Sequence, residues 1–314
     1  MTNNIAVSVI IPVHNSEKYL ESALKSVVLQ DFNKPFEVLV VNNDSTDNSE
    51  NIIQKYVAKY SNLKLVTTKN LTANETRYEG IKQAKGDYVC FLDSDDFYRP
   101  DFLQIMYDHA VKTKADVVNC SYVRYLENNK VHKNVFAISK TFSKEQGLNY
   151  LLFDLFLRGY MPMKMYKRGL LLDNKLAISK HLTIFEDYLF NFSVYLNVTK
   201  TVSIKDPLYF YRLSPSSITR ESSNKRPLSK IKCFAAVRFL IEKSNNQKLL
   251  KTFFLYKTRL WFSILYDVHL ATKNEPKTFH KQKEEARRLY KIITNKKGLE
   301  IKDQPWENLI NDIK

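Results

Sequence analysis

The sequence predicts an α/β protein: a mostly parallel sheet with helices on both faces, followed by a basic helical C-terminal appendage. Three observations predict it. Strand-like and helix-like patterns alternate four times over the first hundred residues or so. The strands are near-continuous apolar runs, as expected of strands covered on both faces. Residues 225–314 are helical in periodicity and carry 21 Lys and Arg against 9 Asp and Glu, an excess of 12 within the chain's net +16.

Val7 to Val13 (VSVIIPV) is the first strand. It runs into His14-Asn15-Ser16, where Asn15 or Ser16 can cap a helix with Tyr19, Leu20, Ala23, Leu24, Val27 and Val28 on one face. Phe36 to Val41 is the second strand and breaks into Asn42–Asp47. Asp47 with Glu50 has capping-box spacing ahead of a helix facing Ile52, Ile53, Tyr56, Val57 and Tyr60 inward. Leu63 to Thr67 is the third strand. Thr72 with Glu75 caps the next helix, which is expected to reach Lys85 and stop at Gly86. Tyr88 to Leu92 is the fourth strand and ends in Asp93-Ser94-Asp95-Asp96.

Beyond Pro100 a helix carries Phe102, Leu103, Met106 and Ala110. Val117–Tyr125 and Val131–Ile138 read as strands joined by a hairpin turn at Glu127–Lys130. Ser143 opens a helix running to about Arg158, and residues 161–172 interleave Lys and Arg with apolar positions. Glu186-Asp187 opens a helix with Leu189, Phe192, Tyr195 and Leu196. Leu208–Leu213 is a further strand before the polar stretch Ser214–Thr219, and helices follow from about Arg226.

The chain has 314 residues, enough for one large domain or an ordinary domain with an appendage, and 44% of them are hydrophobic, enough for a sizeable core. It contains no run of about 18 uncharged apolar residues, so no membrane-spanning helix is expected. The start, Met1 to Asn4, lacks the basic region of a signal peptide, and the apolar run after it reads as a strand. Cys90, Cys120 and Cys233 are far apart in apolar settings, which suits reduced core residues of a cytoplasmic protein.

The chemistry is concentrated where three carboxylates fall within four positions at the end of the fourth strand. Asp93, Asp95 and Asp96 repel one another unless a positive charge sits among them. A hard divalent cation that also bridges phosphates is the natural partner. The plainer reading is an acidic turn, with Asp96 capping the next helix. In open α/β sheets ligands bind outside the carboxyl ends of the strands. His14-Asn15, Asn42–Asp47 and Asp93–Asp96 should therefore converge on one crevice.

These segments, taken in order, resemble the family 2 glycosyltransferases of the GT-A fold, of the bacterial cell-surface and exopolysaccharide type. The resemblance is carried by VSVIIPVHN at Val7–Asn15, NNDSTD at Asn42–Asp47, Asn70–Gly80 with Arg77 inside it, GDYVCFLDSDD at Gly86–Asp96, Glu186-Asp187, and Tyr211-Arg212. It covers about the first two thirds of the chain. It implies an inverting transferase that takes a sugar from a nucleotide-diphosphate donor, a UDP-sugar in the first place, to a hydroxyl of a glycan or lipid-linked acceptor. Mn²⁺ or Mg²⁺ would stabilise the departing diphosphate.

By the same resemblance Asp95 is the direct metal ligand, and Asp93 meets the ribose or reaches the metal through water. Ser94 sits between them in the donor turn, and Asp96 is a helix cap in preference to a support for the metal ligands. Arg77 faces the nucleotide and its phosphates; the alternative is a surface helix arginine. The backbone at Pro12 and Val13 frames the base, with His14 or Asn15 close to it. Asn43 stands where the family usually has an acid that accepts the uracil N–H; an amide oxygen accepts the same bond more weakly, and Asp44 can take over. Asp187 is the general base, with Glu186 as runner-up. Arg212 and Lys164 are candidates for positive charge near the diphosphate, though both read more readily as structural.

The implied organisation is a catalytic domain over residues 1–225, with nucleotide-sugar binding in 1–100 and the acceptor side in 101–225, then a basic helical region over 226–314. That region should pack on the catalytic domain or on a second copy, and its basic face is either plainly solvated or peripheral on the cytoplasmic leaflet. Two rival readings remain: an inactive GT-A-like partner subunit, motivated by Asn43, and a metal-dependent nucleotidyltransferase. The second usually needs a Gly-rich phosphate loop, and this chain has 6 Gly and no such loop. No nucleic-acid motif accompanies the positive charge, so no nucleic-acid partner is expected.

Overall fold

The computed structural model describes residues 4–125, 131–132, 138–152, 159–172, 176–182, 184–213, 225–272 and 276–313. Its elements run β1 (Val7–Val13), α1 (Leu20–Val28), β2 (Phe36–Asn43), α2 (Ser49–Lys59), β3 (Leu63–Thr68), α3 (Ala73–Gln83), β4 (Tyr88–Phe91), β5 (Phe97–Tyr98), α4 (Phe102–Thr113), β6 (Val117–Tyr125), β7 (Val131–His132), β8 (Lys140–Ser143), α5 (Lys144–Leu152), β9 (Lys164–Lys167), α6 (Arg168–Leu172), α7 (Glu186–Tyr195), β10 (Lys200–Arg212), α8 (Arg226–Lys243), α9 (Gln247–Leu255), α10 (Lys257–Ala271), α11 (Pro276–Ile293) and α12 (Glu307–Asp312). The expected turn at 127–130, the expected helix beyond Leu152 and the polar stretch Ser214–Thr219 lie outside the described residues.

The chain forms two compact units that are not contiguous in sequence. The first comprises 1–147, 160–175 and 197–214; the second comprises 148–159, 176–196 and 215–314. This division does not coincide with the expected boundary at 225. Helix α7 belongs to the second unit because it packs on α8, with Phe185 O accepting from Cys233 Sγ at 3.7 Å.

In the first unit the strands lie in the order β3-β2-β1-β4-β9-β6-β10-β5. The stretch β3-β2-β1-β4 is parallel throughout, with Val9 opposite both Val38 and Cys90. Strand β9 then pairs antiparallel with β4 and β6, and β10 returns parallel to β6. Strand β9 reads as mixed charge because its two lysines bracket Met165 and Tyr166, yet Lys164, Met165 and Tyr166 are all buried.

The continuous apolar character of β1 follows from burial on both sides. Val7, Val9, Ile11 and Val13 pack with Leu20, Ala23, Leu24 and Val27 of α1, Ile53 of α2 and Phe102, Leu103, Met106 and Ala110 of α4. Ile10 points to the other face, so close to α3 that a β-carbon at Gly80 would lie 2.5 Å from Ile10 Cγ2. The helix starts are less regular than their sequences suggest. Thr72 and Glu75 do form the capping box of α3. Asn15 and Ser16 do not cap α1, which begins after Tyr19. Asp47 and Glu50 form no capping box, because Asp47 accepts from the backbone N–H groups of Ser49 and Glu17, both at 2.9 Å, while Glu50 accepts from Asn42 Nδ2 at 3.1 Å.

Helix α3 ends at Gln83, before the expected stop. Gly86 is required instead for close approach: a β-carbon there would sit 2.5 Å from Ser8 N and 2.6 Å from Val7 C, both backbone atoms of β1. Gly86→Ala is therefore expected to cost about 1–3 kcal/mol, read as a lowered midpoint in urea unfolding. An unchanged midpoint would show that β1 shifts freely at this point.

The second unit has its own core. Ile231 and Ala235 of α8, Leu260, Ile264 and Val268 of α10, Ala286, Leu289 and Ile293 of α11, and Ile310 of α12 surround the buried Trp306. Arg238 is fully buried and donates from Nη1 to the carbonyls of Ile292 and Ile293, the last of α11, at 3.2 and 2.9 Å. It thereby supplements the bond that Ile292 O accepts from Asn295 N at 3.2 Å and gives Ile293 O a donor at the helix end. Cys90, Cys120 and Cys233 are buried and form no disulfide. Among the described residues no helix is long and apolar enough to cross a membrane.

Candidate active site

The carboxyl ends of β1, β2 and β4 lie side by side, and hydrogen bonds tie their loops together. His14 Nδ1 lies 2.7 Å from Asn43 O, which assigns the proton to Nδ1. Ser16 Oγ lies 2.7 Å from Ser94 Oγ, joining the first loop to the acidic turn. Asn15 adopts a left-handed backbone with φ 48°, where an Asx side chain is tolerated. Its Oδ1 accepts from Thr46 N at 2.8 Å, and its own N–H donates to Ser45 Oγ at 3.1 Å. Pro12 and Val13 complete the β1 register against Val41 and Asn42.

Asn43 is buried, and its amide is engaged. Nδ2 donates to Leu71 O at 2.7 Å, while Oδ1 accepts from Leu71 N at 3.2 Å and Thr68 Oγ1 at 3.3 Å. The side chain clamps the loop that leads into α3. Asp44, next along, is exposed, with a left-handed φ of 56° held by a 3.1 Å bond from its N–H to Thr68 O.

Arg77 is not a surface arginine: it is 6% exposed and donates from Nη2 to Asp93 Oδ1 at 2.7 Å, with Nη1 on Asn74 Oδ1 at 3.1 Å. Asp95 lies between Asp93 and Asp96 in the acidic turn. Burial, then the charge of Asp93, push its carboxyl up to about 6 against the opposing pull of Arg212 and Arg77. Asp96 does not cap α4, whose N-cap position is Asp101. It is buried, accepting from Tyr209 OH at 2.5 Å and from Arg212 N at 2.7 Å, and so fastens the acidic turn to β10. Burial first, then Asp95 and Asp93, raise its carboxyl well above the usual range.

Arg212 donates from Nε to Asp95 O at 2.8 Å, and its guanidinium sits 4.6, 5.3 and 5.6 Å from the ring centroids of Tyr19, Tyr125 and Phe97. The contacts of Ser16, Tyr209 and this aromatic surround with the acidic turn carry no sequence signal, because they come from segments far apart in the chain. Lys164 is buried with Nζ on Tyr160 O at 2.5 Å, a structural use of its charge.

The donor set suits a hard cation. Asp93 and Asp95 present carboxylate oxygens, and burial together with the charge of Asp93 makes ionised Asp95 costly. Among the described residues no group of three or more His, Cys, Asp and Glu side chains could hold a metal ion.

Glu186 and Asp187 lie in the second unit, in the first turn of α7, where negative charge suits the helix dipole. The preceding Phe185 has a left-handed φ of 68°, rare for an aromatic residue. Its ring is held by Arg226 and Lys230, each with its charge 5.3 Å from the centroid. Asn191 Nδ2 donates to Asp187 O and Gly159 O, both at 2.9 Å, fixing the start of the helix to a neighbouring loop.

A parallel sheet whose strand ends gather an acidic pair, a buried arginine and loops from two neighbouring strands has the architecture of the GT-A class. Comparison with known proteins agrees. The family model for glycosyl transferase family 2 matches residues 8–173. EpsH of Bacillus subtilis (strain 168) is 29% identical over 225 residues, 70% of this chain and 64% of that protein. TarS of Staphylococcus aureus (strain Mu50), a poly(ribitol-phosphate) beta-N-acetylglucosaminyltransferase, is 33% identical over 208 residues, 65% of this chain and 35% of that protein. Thus the matched region spans less than two thirds of the length of either relative. The crystal structure of S. aureus TarS 1–349 superposes with a TM-score of 0.63 at 23% identity, over 92% of this chain and 90% of that one. The mannosyltransferase PcManGT from Pyrobaculum calidifontis, solved with GDP-Man and Mn²⁺, has a TM-score of 0.52 at 15% identity, over 92% and 86%. The chain belongs to glycosyl transferase family 2.

Proposed function

We propose that this protein transfers a sugar from a UDP-sugar to a hydroxyl of a cell-envelope glycan or lipid-linked acceptor, with inversion at the anomeric carbon and with Mn²⁺ or Mg²⁺. The observation that carries the reading is the Asp93–Asp95 pair at the end of β4, with Arg77 against it and the β1 and β2 loops bonded beside it. TarS has been crystallised with UDP-GlcNAc and with UDP, which supports a uridine donor for a chain of this fold. Among the relatives are a poly(ribitol-phosphate) beta-glucosyltransferase and a cholesterol galactosyltransferase, which supports polymer and lipid acceptors as the classes to test.

Asp95, with Asp93, would hold the cation, which when bound supplies Lewis-acid stabilisation of the leaving diphosphate. Pro12, Val13, His14 and Asn15 frame the base from β1. Because the Asn43 amide is committed to Leu71 and Thr68, Asp44 is assigned as the acceptor for the base N–H. Ser94 orders the donor turn through Ser16. Asp187 takes the proton of the acceptor hydroxyl as it attacks, and a single base suffices for direct displacement. Glu186 is its alternate. The acceptor side is assigned to 101–225 and the protein to the cytoplasm.

The raised carboxyl of Asp95 makes donor binding depend on pH. A proton competes with the cation for Asp95, so metal-supported UDP affinity should fall as pH drops through about 6. Relative to pH 7.5, calorimetry at pH 5 should show affinity lower by about tenfold, one proton being displaced per cation. UDP affinity that is flat between those values would separate the cation from Asp95. A thermal-shift screen of nucleotide sugars with Mn²⁺ tests the donor class; no stabilisation by any uridine donor would overturn it. An inactive partner subunit, the reading motivated by an amide in place of an acid at Asn43, would bind UDP yet release no sugar from any UDP-sugar.

A further inference from the structure

We propose that one face of α9 and α10 is a docking surface for an anionic lipid bilayer. Helix α10 buries Leu260, Ile264 and Val268 in the core of the second unit. Its opposite face carries Arg259, Phe262, Tyr266 and Leu270 at spacings of three and four residues, a single stripe on a helix. Phe262 is 65% exposed, Tyr266 63% and Leu270 41%, and Leu255 at the end of α9 is 83% exposed. A helix that needed only solvation would not place two aromatic rings there beside two leucines.

Charge decides which partner fits. Arg259 is exposed within the stripe, Lys251 is exposed one turn before Leu255 on α9, and Lys257 is exposed in the first turn of α10. The one acidic residue in 247–272 is Asp267, which is 2% exposed and paired with Lys230 at 2.6 Å. The face therefore combines apolar rings with positive charge and no exposed carboxylate. A bilayer carrying anionic lipids meets both needs: the rings enter the headgroup boundary while the cations stay among phosphates. A second copy meets only one of them. A twofold interface sets a patch against itself, bringing Lys251, Lys257 and Arg259 towards their own copies. The proposal does not depend on the catalytic reading, since binding is read without turnover.

The test is flotation of the full chain with vesicles of phosphatidylcholine, with and without about one third phosphatidylglycerol, at about 0.05 M and 0.5 M salt. The chain should float with the anionic vesicles at low salt, and much less in high salt or with phosphatidylcholine alone. Phe262→Ser with Tyr266→Ser should reduce binding by more than tenfold. Reversal of Lys251, Lys257 and Arg259 to Glu should reduce it by more than about a hundredfold, at roughly fivefold per basic residue removed. All these side chains are exposed, and if one variant misfolds the other decides. Absence of flotation by the unaltered chain, or flotation of both variants equal to that of the unaltered chain, overturns the proposal. So does self-association in sedimentation velocity that Phe262→Ser with Tyr266→Ser abolishes, which would assign the face to a second copy.

Discussion

Asp95→Ala is expected to abolish sugar transfer, by about a thousandfold or more in kcat/KM, because a metal ligand at a leaving group supplies several kcal/mol of transition-state stabilisation. UDP binding in Mn²⁺ should weaken as well, while binding without metal should change little. The same substitution should make the metal-free protein more stable at neutral pH. The sign follows from the carboxyl of Asp95 standing at about 6, above its ordinary 3.8. A raised acid favours the protonated form in the folded state, so the stability it lends is present below about pH 4 and is lost as pH rises through 6. Above that range the ionised carboxylate is a cost that Ala removes. The gain in thermal midpoint should therefore appear at pH 7.5 and vanish near pH 4. Retained turnover in the variant would falsify the metal-ligand role. A midpoint lower than that of the unaltered protein at pH 7.5 would show that Asp95 is already neutralised by the protein.

Asp187→Asn is expected to lower kcat by about a hundredfold to ten-thousandfold, the usual contribution of a general base. UDP affinity should stay within about twofold, since no donor contact is assigned to this residue. The fold should persist, because Asn191 bonds the backbone carbonyl of Asp187 and Asn keeps that bond. Glu186→Gln is the matched control. If the Glu186 variant loses turnover and the Asp187 variant keeps it, the base is Glu186. Lost UDP binding in Asp187→Asn would instead place that residue in the donor site.

The buried strands were legible because burial on both faces demands long apolar runs, and β1, β2, β4 and β6 follow their expected bounds to within two residues. Strand β9 was not, since Lys164 is buried by bonding a carbonyl that no local pattern announces. The capping readings at Asn15, Ser16, Asp47 and Asp96 failed for a shared reason. Each of these side chains lies on the loops at the strand ends, and hydrogen bonds to partners outside a helix cap win there: Thr46 for Asn15, Ser94 for Ser16, Glu17 for Asp47, Tyr209 for Asp96. Local propensity describes an isolated helix start; tertiary hydrogen bonds redirect the same groups. The pairing of Arg77 with Asp93 was visible only as two separate motif positions, because nothing in a spacing of 16 residues states that they touch. The placement of α7 with the C-terminal helices had no sequence signal either, as its partner α8 lies some 40 residues further on.

The most direct test is an anomalous difference map at the manganese edge from crystals grown with UDP and Mn²⁺. A metal peak within about 2.0–2.6 Å of an Asp95 carboxylate oxygen, with the diphosphate on its far side, is the predicted result. Nucleotide bound away from the end of β4, or bound there with the cation nowhere near Asp95, would contradict the account.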